Sequence, residues 1–207
     1  RELAQKTFNP RLGIVEGLSI LGTTGRVRPF SCRALKCSLV CELEVAKAAG
    51  VTAPVLVPGH IGERSARRHL SVTAEQVIEV GNEWGFLLDR LARYPFRQAL
   101  LWGHPGKLAK LADGQWDTHS SRSTSAVEVV RRMGGDVPSF DPSGHLTTEG
   151  LFAALDQTER TRLAEVLSAA TARAAQEKTG GACKISVVLV NMEGAVLGAY
   201  GDISPWR

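Results

Sequence analysis

Short apolar runs alternate along the chain with polar segments that contain glycine. Mostly apolar runs lie at residues 53–57, 76–80 and 98–102, and a further one spans 12–21. Strands that are buried on both faces of a parallel sheet show such near-continuous runs instead of strict alternation. We therefore predict an α/β fold with a mostly parallel sheet that carries helices on both faces.

Helices are predicted between and after these strands. Ser31 suits the N-cap of a helix that extends to about residue 49, and further helices are expected at 86–93, from Lys107 onward and at 125–133. A later helix has one apolar packing stripe with spacings of three and four. Its residues are Leu163, Val166, Leu167, Ala170 and Ala174. The runs 185–190 and 195–200 flank a turn at Gly194, which predicts a C-terminal β-hairpin at the sheet edge.

The composition fits one folded domain. With 207 residues, 43% hydrophobic and 22% charged, the chain is expected to form a single α/β domain over 1–207. No apolar run approaches the roughly 18 residues that span a bilayer, so we expect no membrane partner and a cytoplasmic location. Free cysteines fit core positions in a reducing cytosol, although Cys37 and Cys41 would share a helix face that could hold a metal. The four cysteines are Cys32, Cys37, Cys41 and Cys183.

The net charge is only mildly positive. Lys and Arg exceed Asp and Glu by four, and they are scattered along the chain. Proteins that bind nucleic acid usually concentrate basic residues in a stripe with aromatic platforms, so this pattern argues against a nucleic-acid partner. A small molecule with several carboxylates suits the charge equally well.

Glycine-rich turns follow all four predicted strands. They are Gly22-Thr23-Thr24-Gly25, Pro58-Gly59-His60-Ile61-Gly62-Glu63, Gly81-Asn82-Glu83-Trp84-Gly85 and Gly103-His104-Pro105-Gly106. Ligands of open α/β sheets bind beyond the carboxyl ends of the strands, where such turns meet helix N-termini. No turn has the form GxxxxGK[ST] or a full GxGxxG, which disfavours ATP, GTP and nicotinamide cofactors. Together the turns predict a small-molecule site, although each alone also fits a purely structural role.

The densest polar segment follows the run 98–102 and is bracketed by two histidines, His104 and His119. Its other polar residues are Lys107, Lys110, Asp113, Asp117 and Thr118. Two His and an Asp could bind a metal, the lysines could bind an anion, and a solvated helix face with a capping His would explain the same residues. The spacing fits no zinc pattern, so no metal is assigned. No GxSxG motif or evident triad suggests a nucleophilic enzyme.

Longer motifs run through residues 8–130. They are Phe8-Asn9-Pro10-Arg11-Leu12-Gly13-Ile14, the stretch 19–31 that contains the first turn, the turns at 58–63 and 81–86, Gly103-His104-Pro105-Gly106-Lys107-Leu108-Ala109-Lys110-Leu111-Ala112, and Thr118-His119-Ser120. In order and spacing this set resembles the CbiD family, the cobalt-precorrin-5B C1-methyltransferases. His60 departs from the pattern, which usually has Asn there, and Trp84 and Trp116 depart from it as well.

The resemblance implies a specific reaction. S-adenosylmethionine would donate a methyl group to C-1 of cobalt-precorrin-5B, a corrinoid, in anaerobic cobalamin biosynthesis. Such a transfer needs alignment of two reactants more than a strong base, and we assign no catalytic residue. The resemblance also implies that the chain is the larger, C-terminal part of the enzyme and that the family's N-terminal domain is absent from it.

The candidate ligands are the turns for the methyl donor and cationic side chains for the carboxylates of the substrate. For the donor they are Gly22, Thr23, Thr24, Gly25, Gly59, Gly62, Glu63, Asn82, Gly103, His104 and Gly106. For the substrate they are Arg26, Arg28, Lys107, Lys110, His119 and Arg122, with Arg11 a weaker candidate.

Two other functions stay open. A nicotinamide-dependent oxidoreductase could use the first turn, with Glu42 or Glu44 as the acid that binds the ribose about 20 residues further on. A ligand-binding fragment without catalysis is the other alternative. A homo-oligomer stays open as well.

Overall fold

The computed structural model describes residues 31–134 and 147–207. Two compact units are distinguished, Arg1–Ser38 and Leu39–Arg207, and of the first only 31–38 is described. The predicted strand at 12–21 and the turn from Gly22 to Gly25 therefore lie outside the described residues. The elements in chain order are α1 (Cys32–Ala48), β1 (Val55–Val57), α2 (His60–His69), β2 (Val77–Glu79), α3 (Trp84–Leu91), β3 (Gln98–Gly103), α4 (Pro105–Ala112), α5 (Ala126–Met133), α6 (Thr148–Ala154), α7 (Gln157–Lys178), β4 (Lys184–Val190) and β5 (Val196–Tyr200).

The strands form one sheet in the order β2-β1-β3-β4-β5. The first four are parallel, with Leu56 of β1 opposite Leu101 of β3, and β5 runs antiparallel to β4 at the edge. The fold class and the C-terminal hairpin predicted from the sequence are confirmed. A register irregularity lies between Leu189 and Val190, close to the turn of this hairpin.

Neighbouring residues of β1, β2 and β3 belong to different cores on the two faces of the sheet. Leu56 and Leu101 lie in the larger core, with residues of α1 and of α3 to α7. Val55 and Leu100 lie in the smaller core, which α2 and Trp206 of the short 3₁₀ helix Ser204–Trp206 cover. This two-sided burial explains why the strands read as continuous apolar runs, since both faces are removed from water.

Helix α2 was missed by the hydrophobic pattern. Its sequence, HIGERSARRH, contains a single large aliphatic residue, and the residues that it buries are small: Gly62, Ser65 and Ala66. Small side chains bring the helix close to the sheet without producing an apolar stripe, so the usual periodicity signal is absent. The segment predicted as a turn therefore becomes helical from His60 onward.

The packing stripe of α7 was predicted on a face that is slightly rotated from the observed one. Leu163 and Leu167 are fully buried, but Val166, Ala170 and Ala174 are only partly buried. Two polar residues, Ser168 and Thr171, lie in the buried face. Their low hydropathy predicts exposure to solvent for both residues. Thr171 tolerates burial because its hydroxyl donates to the carbonyl of Leu108 at 3.2 Å.

The expectation of four core cysteines is wrong for three of them. Cys32, Cys37 and Cys41 are exposed, because α1 turns Leu39, Leu43 and Ala46 toward the core. Cys183 is buried, and burial raises the pKa of its thiol to about 11. No helix within residues 31–134 and 147–207 is both long enough and apolar enough to cross a membrane.

Candidate functional site

The strand order creates a switch point between β1 and β3. The chain leaves β1 for β2 on one side and returns past β1 to reach β3. The crossover from β1 to β2 and the crossover from β3 to β4 run in opposite directions along the sheet. Because such crossovers are right-handed, α2 and α4 lie on opposite faces of the sheet and diverge from the adjacent ends of β1 and β3. Ligands of open α/β sheets bind in the crevice at such a point. The two turns that lie there begin at Pro58 and at Gly103.

Glycine is required where these two turns pack together. A Cβ on Gly103 would lie 2.5 Å from both Cγ and Cδ of Pro58, which is far inside van der Waals contact. A Cβ on Gly62 would lie 2.9 Å from the carbonyl oxygen of Trp102. The glycines of these turns thus allow α2 and β3 to approach, which is a structural role distinct from direct contact with a ligand.

No side chain of the described residues caps the N-terminus of α2. Its N-cap residue is Gly59, and the first intrahelical bond is from the Glu63 N–H to the Gly59 carbonyl at 3.0 Å. The N–H groups of the first turn before Glu63 have no hydrogen bond to another described backbone group. Such N–H groups, together with the helix dipole, favour an anion. The N-terminus of α2 therefore provides a binding surface beside the switch point.

The side chain of His104 caps α4 and does not present a free nitrogen. Its Nδ1 accepts from the Gly106 N–H at 3.0 Å, and its Nε2 lies 2.8 Å from a carboxylate oxygen of Glu149. Because Nδ1 accepts, Nε2 carries the proton and donates to Glu149. The other carboxylate oxygen of Glu149 accepts from the Met192 N–H at 3.5 Å. Both ring nitrogens are occupied, so His104 ties α4, α6 and the hairpin turn together.

Lys107 joins three turns at the same edge of the sheet. It belongs to α4, and its Nζ donates to the carbonyls of Pro58 at 3.3 Å and Gly81 at 3.4 Å, which follow β1 and β2. Burial lowers the pKa of Lys107 below its ordinary 10.5, and the charge of Lys110 adds to this effect while the carboxylate of Glu79 opposes it. The amino group is a half-buried cation that fixes the turns around the switch point.

We expect the stability of the wild type relative to the Lys107→Met variant to increase with pH. Since the folded pKa of Lys107 lies below the unfolded value, the unfolded state binds more protons between these two values, and stability rises with pH there. Methionine does not titrate, so the difference between the variants isolates this lysine. Urea unfolding at about pH 8 and about pH 10 measures it. A difference that stays constant or shrinks would contradict the assigned pKa shift.

The turn after β2 packs against the segment that follows α4. The hydroxyl of Thr118 donates to the side-chain carbonyl of Asn82 at 3.2 Å, and the Thr118 N–H donates to the Asn82 carbonyl at 3.2 Å. The Gly85 N–H donates to the Trp116 carbonyl at 3.0 Å. Asn82 is thus bound to the chain itself, and its position is fixed relative to the edge.

Three of the predicted substrate ligands hold the segment 117–123 in place. The Nζ of buried Lys110 donates to the hydroxyl of Ser123 at 2.7 Å and the carbonyl of Thr118 at 3.3 Å, and burial lowers its pKa. Arg122 forms two hydrogen bonds with Asp117, and these lower the pKa of Asp117. The Nδ1 of His119 lies 2.8 Å from the hydroxyl of Ser121. Their described contacts are therefore structural.

The remaining predictions fall into two groups. Glu63 lies on α2 and accepts from Arg67 at 3.0 Å and 3.1 Å. The candidates that precede Ser31 lie outside the described residues and stay predictions; they are Arg11, Gly22, Thr23, Thr24, Gly25, Arg26 and Arg28. No group of three or more His, Cys, Asp or Glu within 31–134 and 147–207 is arranged to hold a metal ion.

The two acids that the oxidoreductase alternative assigns to the ribose lie in a helix. Glu42 and Glu44 lie within α1 and not at the end of a strand. Among the strands of the described residues, the one that ends in an acid is β2, whose last residue is Glu79. Its carboxylate lies 3.5 Å from the position of a Cβ on Gly59. The sequence pattern predicts only that Glu79 lies in a strand. It does not predict that Glu79 lies beside Gly59, because the turn that contains Gly59 follows a different strand.

Comparison with known proteins finds relatives that match along the whole of this chain. The CbiD family profile matches residues 1–29, outside the described part. The cobalt-precorrin-5B C(1)-methyltransferase of Syntrophotalea carbinolica is 49% identical over 207 residues, covering 100% of this chain and 59% of that protein. The protein of the same name from Methanocaldococcus jannaschii is 38% identical over 208 residues, covering 97% of this chain and 57% of that protein. The chain is thus similar to the CbiD family. The resemblance read from the motifs is confirmed.

Further relatives match a shorter stretch. The protein of that name from Edwardsiella ictaluri is 46% identical over 127 residues, which is 61% of this chain and 34% of that protein. The chain thus spans less than two thirds of the length of the curated relatives that it matches. No solved structure matches it significantly.

Proposed function

We propose that this chain forms the donor-binding α/β part of an S-adenosylmethionine-dependent methyltransferase that acts on C-1 of cobalt-precorrin-5B. The observation that carries the proposal is the 49% identity, over the whole of this chain, to a protein named for that reaction. The proposed setting is the cytoplasm and the anaerobic pathway to cobalamin.

The crevice between β1 and β3 suits the amino-acid end of the methyl donor. Its carboxylate would accept hydrogen bonds from the N–H groups of the first turn of α2, which no side chain of the described residues caps. A Cβ on Gly59 would meet nothing closer than 3.5 Å, so the backbone is open to a ligand at this point. When bound, S-adenosylmethionine supplies an electrophilic methyl group on its sulfonium.

The chain's contribution to the reaction would be positional. An electron-rich ring carbon attacks a methyl group in line, and correct alignment of the two reactants supplies much of the acceleration. His104 does not serve as the base, because both of its nitrogens are bound within the chain. Lys107 would place a positive charge at the edge for the carboxylates of the corrinoid.

Calorimetric titration of the 207-residue chain tests the proposal. We expect heat on addition of S-adenosylmethionine and of S-adenosylhomocysteine, and none with NADH. The variant His60→Pro removes one N–H at the first position of α2, where proline is well tolerated. Loss of a hydrogen bond to a charged group should weaken binding of S-adenosylmethionine by about tenfold.

The matched control is Gln157→Pro, at the first position of α7. Asp156 caps that helix through the Glu159 N–H at 2.8 Å, and the helix plays no part in the proposed site. The control should bind S-adenosylmethionine as the wild type does. Heat with NADH only would reject the methyltransferase proposal, and equal affinity of His60→Pro and the wild type would reject the assigned carboxylate site.

A further inference from the structure

Glu79 stands beside the open turn of the switch point. It is the last residue of β2, its side chain is exposed, and its carboxylate oxygen lies 3.5 Å from the position of a Cβ on Gly59. No described residue is bound to its carboxylate by a hydrogen bond or an ion pair. The two carboxylate oxygens can therefore accept hydrogen bonds from a ligand that enters above Gly59.

The position of Glu79 in the β1-α2-β2 unit indicates which ligand group it would meet. Gly59 follows the first strand, and Glu79 ends the second strand twenty positions further on. In α/β units that bind nucleotides at a glycine turn, an acidic residue at this distance accepts hydrogen bonds from the ribose hydroxyls. The sheet order brings the end of β2 next to the end of β1, so the acid and the turn face the same crevice.

The surroundings of Glu79 hold the end of β2 and its carboxylate in place. The cation of Lys107 interacts favourably with it, and the same lysine is bound to the carbonyls of Pro58 and Gly81 on either side. The backbone N–H of Glu79 donates to a carboxylate oxygen of Glu42 at 3.2 Å, which fixes the end of the strand. A charged acceptor held in this way binds a hydroxyl more strongly than a neutral one.

We propose that Glu79 binds the two adjacent ribose hydroxyls of the adenosyl group of the methyl donor. This inference rests on the proposed function and assigns a residue that selects for an unmodified ribose. A nucleotide with a 2′-phosphate would be repelled by the carboxylate, and a deoxynucleoside would lose one or both hydrogen bonds.

A thermodynamic cycle tests the proposal. Calorimetry measures binding of S-adenosylhomocysteine and of its 2′-deoxy and 3′-deoxy counterparts to the wild type, Glu79→Ala and Glu79→Gln. We expect Glu79→Ala to weaken binding of S-adenosylhomocysteine by about tenfold to thirtyfold, because two charge-assisted hydrogen bonds are lost. Each deoxy ligand should bind less tightly to the wild type but suffer little further loss in Glu79→Ala. The affinity of Glu79→Gln for S-adenosylhomocysteine should lie between those of the wild type and Glu79→Ala, since its amide oxygen still accepts a hydrogen bond.

The control is Glu165→Ala, which removes an exposed carboxylate from α7 and should leave all affinities unchanged. If the wild type binds S-adenosylhomocysteine and Glu79→Ala binds it equally well, this inference is overturned while the proposed function stands. Additive losses from the variant and the deoxy ligands would also overturn it. If the wild type binds no adenosyl ligand, the proposed function itself fails, and this inference with it.

Discussion

Replacing Gly103 by Ala is expected to lower the free energy of unfolding by about 3 kcal/mol, the upper part of the usual range for overpacking a core. The new Cβ would lie 2.5 Å from two ring atoms of Pro58. Both residues are buried, and the proline ring has no rotamer that could relieve the overlap. The ends of β1 and β3 must therefore separate, and this deforms the crevice in which the methyl donor is proposed to bind.

Thermal unfolding measures this effect. For a chain of this size about 3 kcal/mol corresponds to a melting temperature roughly 6 to 12 °C lower. The matched control is Gly59→Ala, in the other turn of the crevice, because its Cβ would have only an ordinary contact at 3.5 Å and its φ of 162° is extended backbone. A control that loses as much stability as Gly103→Ala would show that general sensitivity of the turns, and not the overlap with Pro58, is responsible.

The fold could be predicted wherever burial is carried by large side chains. The run 98–102 lies in β3 and the hairpin is present as predicted, since β3 buries Leu and Trp side chains and β4 buries Val, Leu and Ile side chains. Helix α2 was not predicted because it packs through Gly62, Ser65 and Ala66. A hydropathy pattern detects how much apolar surface is buried, and it does not detect how closely small residues let two backbones approach.

The site was predictable as a place but not as a set of contacts. Strand ends followed by glycine turns indicated the correct edge of the sheet, because this rule depends only on element order. Which side chains face a ligand depends on partners distant in sequence. Lys110 has a structural role because it donates hydrogen bonds to Thr118 and Ser123. Glu79 lies at the candidate site only because β2 pairs with β1. His104 was expected to bind the donor, and Glu149, 45 positions away, occupies its ring instead.

A second large effect is expected from Ser65→Ala, on the buried side of α2. The Ser65 hydroxyl donates to the Gly194 carbonyl at 2.8 Å and accepts from the Trp102 indole N–H at 3.0 Å. Alanine would leave both groups buried without a partner, and each such group costs about 1–3 kcal/mol. We expect the free energy of unfolding to fall by about 3 kcal/mol in urea titrations, with an unchanged dependence on denaturant.

The chain offers a closely matched control in Ser168→Ala. Ser168 is also fully buried in a helix, but its hydroxyl has no hydrogen-bond partner among the described residues. Its replacement removes an unpaired polar group, so stability should stay the same or rise by up to about 1 kcal/mol. Equal losses from the two variants would show that both serines act through packing alone. A loss confined to Ser65→Ala would establish that this hydroxyl ties α2 to β3 and to the hairpin turn, and so holds the open N-terminus of α2 at the switch point.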